Sequence, residues 1–358
     1  MDLDDSRGIR QLDAGNMLDR IQELPQQCAV AWEQCERLRL PWARDAFDRI
    51  VIVGMGGSAI GGALLEGLVA DQCPIPLTVV RDVTLPAFAS GPDTLVMACS
   101  YSGNTEETLS CFEQALTRGT AALAVTTGGQ LATLARSAGA PVVALDYPSQ
   151  PRAALGFSFT LLLGIAHRLG LIKDPSSDLM DAVQVMEAWQ SELGPEAPKV
   201  ENGAKQLAAQ IHGRLPVTYG AGFLAAVANR WKTQFNENAK HWAFFEILPE
   251  LNHNTVVGLG VPVDVRELAV VLLLRSDFDP PRIQERWDVT LELLDREGVS
   301  AGAVSGRGES ELAQMLSLIQ FGDYVSYYLA VCNDIDPTPV DNIRFLKRRL
   351  AELGRVVP

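Results

Sequence analysis

Between residues 50 and 145 the chain alternates short apolar runs with longer amphipathic ones. The runs at 50–53, 77–80, 95–99, 121–125 and 141–145 are too short for helices, and their unbroken hydrophobicity suits strands buried on both faces. Strand, helix, strand in regular succession predicts a parallel sheet covered by helices. A second cycle begins near 215–220, continues through 269–274 and returns at 301–304, so one α/β plan is used twice. Ahead of the first cycle, Met17, Leu18, Ile21, Leu24, Val30 and Trp32 carry helical spacing broken at Pro25, which predicts two lead-in helices. The charged, proline-bearing stretch between the cycles reads as a helical connector. The resulting division is a helical lead-in over 1–48, a first α/β unit over 49–172, the connector over 173–200 and a second α/β unit over 201–358.

Two strand ends carry candidate chemistry. Ser100-Tyr101-Ser102-Gly103-Asn104-Thr105 follows a buried run and precedes a helical one. Hydroxyls and free backbone N–H groups therefore converge at a helix N-terminus, where donors and dipole together hold an anion. A Ser/Thr turn with a helix cap has the same composition. Gly54-Met55-Gly56-Gly57-Ser58 follows the first run. Its glycines fit a dinucleotide fingerprint, with Asp82 as the acidic partner, although Asp82 lies further on than the usual separation of about 20 residues. They equally fit close backbone approach to a smaller ligand, with Ser58 adding a hydroxyl to the 100–105 cradle. In the second cycle, the loop after 270–274 holds Asp277 and Asp279 where the first holds hydroxyls. Carboxylates repel phosphate, so one anion site per chain is expected.

Composition narrows the partners. The 358 residues are 47% hydrophobic with 30 glycines, enough for about two ordinary domains. A net charge of −14 argues against nucleic acid or an anionic membrane surface as partner. Six cysteines lack metal-type or disulfide-type spacing, and several sit in apolar runs, which suits a reducing cytoplasm. The acidic start Met1-Asp2-Leu3-Asp4-Asp5 is unlike a signal peptide, and no apolar run reaches the length of a membrane span. Four dispersed histidines, His167, His212, His241 and His253, make no convincing metal site, so neither a metal nor another cofactor is expected.

The pair Gly54 to Ser58 and Ser100 to Thr105 resembles the sugar isomerase (SIS) family, whose members bind sugar phosphates on flavodoxin-like sheets and include non-enzymes. Pro151-Arg152-Ala153-Ala154-Leu155-Gly156, Asn236-Glu237-Asn238-Ala239-Lys240, Pro249-Glu250-Leu251-Asn252-His253-Asn254, and the segment 336–343 with Lys347 narrow the resemblance to its bifunctional phosphoglucose/phosphomannose isomerases. It covers residues 50–350. The resemblance implies two flavodoxin-like SIS domains and interconversion of glucose 6-phosphate, and mannose 6-phosphate as well, with fructose 6-phosphate through a cis-enediol without a metal. It also implies roles. Glu237 is the proton-shuttling base and Arg152 stabilises the enediolate oxygen. His253, reaching in from the second subunit of a homodimer, opens the ring together with Lys347, which the C-terminal helix brings back over the sugar. Gly57, Ser58, Ser100, Ser102 and Thr105 bind phosphate.

Each residue has a plainer reading beside it. Glu237 suits a helix surface near Lys240, Arg152 an ordinary ion pair, His253 a solvated loop, and Lys347 a basic helix face with Arg348 and Arg349. A general base of this kind works best when burial lifts its pKa toward neutrality. The alternative functions are a non-catalytic sugar-phosphate sensor, an isomerase of another phosphosugar, and an NAD-linked dehydrogenase using the glycine loop.

Overall fold

The computed structural model describes residues 2–354. Three helices lead in: α1 (Ser6–Leu12), α2 (Met17–Gln22) and α3 (Leu24–Arg37). The last two answer the expected pair, and Pro25 falls in the first turn of α3, where its missing N–H costs nothing. The first cycle is β1 (Arg49–Gly54), α4 (Gly57–Leu68), β2 (Leu77–Val80), β3 (Thr94–Ser100), α5 (Glu106–Thr117), β4 (Ala121–Thr126), α6 (Gly129–Ser137), β5 (Val142–Ala144) and α7 (Leu155–Arg168). After α8 (Ser176–Leu193) and α9 (Gly203–Ile211), the second cycle runs β6 (Leu215–Ala221), α10 (Ala225–Glu237), β7 (Phe244–Leu248), α11 (Val263–Leu268), β8 (Ala269–Arg275), α12 (Pro281–Arg296) and β9 (Ser300–Ser305). Two helices close the chain, α13 (Glu311–Cys332) and α14 (Asp341–Leu353).

Both sheets are parallel, as the alternating pattern predicts, with orders β2-β1-β3-β4-β5 and β7-β6-β8-β9. The second sheet repeats the first without its last strand. Strand β7 was not anticipated: Phe244 to Leu248 follow closely on α10, lie at a sheet edge and stay partly exposed, so no clean buried run announces them.

One continuous apolar core takes in side chains from the lead-in, both cycles and α13. Its centre is α13, on which every residue from Leu312 to Val331 is buried. A helix buried on all sides needs partners on all sides, and α13 packs against α8, α9 and α10. The first cycle is therefore joined to the second by packing as well as by sequence, and a site can be assembled from both.

Candidate active site

Strands β1 and β3 are neighbours, with Gly54 opposite Cys99, so their two C-terminal loops meet. Ser58 Oγ accepts the Tyr101 N–H at 3.1 Å, which joins the glycine loop to the serine loop. Ser100 is buried at the strand end; its Oγ accepts the Gly103 N–H at 3.1 Å and pairs with Thr105 Oγ1 at 2.9 Å. Ser102 is exposed, and its Oγ accepts the Asn104 N–H. Thr105 occupies the N-cap position of α5, but its hydroxyl turns to Ser100 and caps nothing. The first turn of α5, which also carries Glu106 and Glu107, thus has no side-chain cap on its N–H groups.

Tyr101 was not singled out by sequence, yet it ties this region together. Its hydroxyl donates to Tyr147 O and accepts the Ser149 N–H, both at 2.6 Å, and its carbonyl accepts from Thr127 Oγ1 at 2.7 Å. These bonds pin the segment that leads to Arg152. From the other side Gln27 of α3 donates to Ala153 O at 2.9 Å and accepts the Gly156 N–H, so one task of the lead-in helices is to hold the Arg152 turn.

Arg152 sits in a 3₁₀ turn, Pro151–Ala153, and is buried. The turn lies directly on the start of α4: a Cβ at Gly57 would come within 2.9 Å of Arg152 N and of Pro151 C, so only glycine permits the approach. The guanidinium donates from Nε to Asn238 Oδ1 at 2.7 Å and from one terminal nitrogen to the carbonyls of Pro337 and Thr338 at 2.9 Å. Its other terminal nitrogen lies 3.7 Å from Glu237 Oε2. Burial pushes the Arg152 pKa down and Glu237 pulls it back up; the group stays charged.

Glu237 ends α10, a helix of the second cycle, and its side chain is 27% exposed. On the same face stand Arg230 and Gln234, at spacings of seven and three residues, both buried. Arg230 donates to the Arg152 carbonyl at 2.9 Å and to Asp323 Oδ2 of α13 at 2.6 Å, while Gln234 donates to Asp323 Oδ1 at 2.9 Å. Burial raises the Asp323 pKa against the pull of Arg230. Removing one member of so buried a pair costs about 3–5 kcal/mol. Sequence reading missed this network, although polar residues at 230, 234 and 237 among Val227, Trp231 and Phe235 form a stripe at helical spacing that could have disclosed it.

Gly56, Gly57, Arg81, Arg152, Arg230 and Glu237 are among the residues lining a cavity of about 190 Å³. A neighbouring hollow of about 500 Å³ is lined on one side by Glu237 and Lys240 and on the other by the strap from Ile335 to Val340 and the first residues of α14. His253 and Lys347 line neither. His253 is exposed in the turn Glu250–His253, and Asn252 beside it lines a separate cleft of about 290 Å³. Lys347 is exposed on α14, a helix with no buried residue. Among the described residues no cluster of His, Cys, Asp and Glu is arranged to hold a metal ion.

Two open parallel sheets flanked by helices, with Arg152 of the first unit set against Glu237 of the second beside the glycine start of α4, define a doubled SIS-type architecture. Residues 200–350 match the family described as bacterial phospho-glucose isomerase C-terminal SIS domain. The bifunctional phosphoglucose/phosphomannose isomerase of Caldicellulosiruptor bescii is 42% identical over 94% of this chain and 99% of its own length. That of Aquifex aeolicus is 38% identical over 85% and 91%. A hypothetical protein of Thermus thermophilus, at 17% identity, shares the fold with a TM-score of 0.74 over 98% of this chain and 94% of its own. The chain belongs to the family of bifunctional phosphoglucose/phosphomannose isomerases.

Proposed function

We propose that this protein interconverts fructose 6-phosphate with both glucose 6-phosphate and mannose 6-phosphate, by proton transfer and without a metal. The observation that carries the reading is the buried Arg152 guanidinium held against Glu237 beside the glycine start of α4. The phosphate binds Gly57, Ser58, Ser100, Ser102 and Thr105. Glu237 takes a proton from C1 of the open ketose, leaving a cis-enediolate whose oxygen Arg152 neutralises with a permanent charge. Return of that proton to C2 gives the aldose, while a second proton passes between O2 and O1. Because C2 is planar in the enediol, return to one face gives glucose 6-phosphate and to the other mannose 6-phosphate.

Ring opening falls to His253 and Lys347, with His253 supplied by a second copy of the chain. In support, Ile343, Phe345, Leu346 and Leu350 of α14 are 41–57% exposed, and Trp242 ahead of β7 is 75% exposed. Apolar surface of this kind asks for a partner. Among the described residues no helix is long and apolar enough to cross a membrane, and the reducing cytoplasm remains the proposed compartment for six unpaired cysteines.

A coupled assay with fructose 6-phosphate and a chelator, recording both aldose phosphates separately, tests the reading. Both products are expected. Glucose 6-phosphate alone would remove the mannose activity, and no turnover by folded protein would favour the sensor or another phosphosugar.

A further inference from the structure

Lys240 takes part in none of the steps above, yet it is the most heavily bonded cation at the site. Its backbone is left-handed at φ +50°, a conformation that costs a non-glycine residue free energy unless something holds it there. The residue is exposed, but its ammonium is drawn in among four carbonyls: Glu237 at 3.0 Å, Asn238 at 3.2 Å, Asp336 at 2.9 Å and Pro337 at 2.8 Å. The Pro337 carbonyl is the same one that accepts from Arg152. A ring closes: Arg152 faces the Glu237 side chain, Lys240 holds the Glu237 backbone, and both cations grip Pro337.

We propose that Lys240 is a positioning residue, whose ammonium braces the 336–338 strap against the end of α10 and so fixes the separation of Glu237 and Arg152. The inference rests on the roles given to those two residues above. An ammonium has three protons and a charge to share among the four carbonyls; a neutral amine has two protons and a lone pair that repels the others. The bracing therefore lasts only while Lys240 is charged. Burial of the ammonium and the adjacent Arg152 push its pKa down to about 8, against the pull of Asp336, Glu237 and Asp341. Turnover should fall as pH rises through that value. Stability should move the other way: the folded pKa lies below the ordinary 10.5, so between the two the unfolded chain holds a proton that the folded one has lost. A purely structural lysine would not separate activity from stability in this manner.

The test compares kcat and KM for fructose 6-phosphate from pH 6.5 to 10 in the wild type, Lys240→Met, Lys240→Arg and Glu237→Gln. In Lys240→Met, kcat is expected to fall about 10–100-fold, the cost of an ångström-scale displacement, with KM changed far less. Its profile should lack the alkaline fall seen in the wild type. Lys240→Arg, charged throughout, should keep its activity beyond the pH at which the wild type loses it. Wild-type kcat in Lys240→Met, or one alkaline limb shared by all three Glu237-containing proteins, would overturn the proposal. If Lys240→Met does not fold, the wild-type profile decides, and kcat undiminished to pH 10 would overturn it. Full activity in Glu237→Gln would overturn the site assignment itself, whereas an inactive Glu237→Gln beside an unimpaired Lys240→Met would remove only the role of Lys240.

Discussion

After β1 the chain turns through Gly56 at φ +50°, and after β6 it turns through Gly222 at φ +49°. A Cβ at either would meet nothing within 4 Å, so the shared turn is set by the left-handed backbone and not by crowding. The next residue separates the halves. In the first it is Gly57, whose bare backbone receives the Arg152 turn; in the second it is Phe223, 7% exposed, whose backbone lies against Gly67 of α4. The loops after β3 and β8 diverge in the same sense. The first spends its serine hydroxyls on local amides and opens α5 on residues that carry N–H donors, whereas the second opens α12 on Pro280 and Pro281, and neither helix start has a side-chain cap. In the second, Asp279 is buried and accepts the Ser276 N–H at 3.3 Å and Trp287 Nε1–H at 2.9 Å, while Gln314 accepts from Ser276 Oγ and the Asp277 N–H. The second loop has satisfied its donors with the chain's own oxygens. On the proposed reading one half keeps a place for the phosphate, while the other ties the same place to its own side chains and lends its helix α10 to supply Glu237.

This contrast can be pressed experimentally. Gly57→Phe copies the second half into the first, and its Cβ would collide with main-chain atoms at Pro151 and Arg152. Displacing Arg152 is expected to lower kcat/KM by about 100-fold or more, measured with fructose 6-phosphate. Activity within a few-fold of wild type would mean that the close approach at Gly57 is not needed. Next comes Ser102→Asp, which places a carboxylate where Asp277 stands when 270–274 is laid on 95–99. Ser102 is exposed, so folding should survive. KM should rise about 10-fold or more, since a like charge within a few ångströms of phosphate costs more than about 1 kcal/mol even in water; an unchanged KM would place the phosphate elsewhere. The smallest effect belongs to Asp279→Ala in the second half. Leaving the buried Trp287 N–H unpaired should cost about 1–3 kcal/mol in denaturant unfolding, with turnover nearly unchanged. A large loss of turnover without loss of stability would show that the second loop is a site after all.

The strands of the first half could be read from the sequence because β1, β3 and β4 are short, apolar and buried almost throughout. The serine and glycine loops were equally legible, since turn chemistry is local. What the sequence could not disclose is long-range. Arg152 meets Glu237 across 85 positions and also grips the 336–338 strap, through a packing of α10 on α13 that no local pattern encodes. Tyr101 was hidden differently: inside a motif of ligand-like hydroxyls it serves the protein, holding the segment before Arg152. Lys240 passed for the surface partner of a neighbouring glutamate, because spacing cannot show that four carbonyls converge on its ammonium.

The central claim is that a carboxylate from one half moves a carbon-bound proton of a sugar whose phosphate the other half holds. The most direct measurement is deuterium uptake at C1 of fructose 6-phosphate in heavy water, followed by NMR with the wild type and with Glu237→Gln. Exchange by the wild type, reduced about 10²–10⁴-fold in a variant that still binds fructose 6-phosphate, is the expected result. Exchange at the wild-type rate in Glu237→Gln would contradict it.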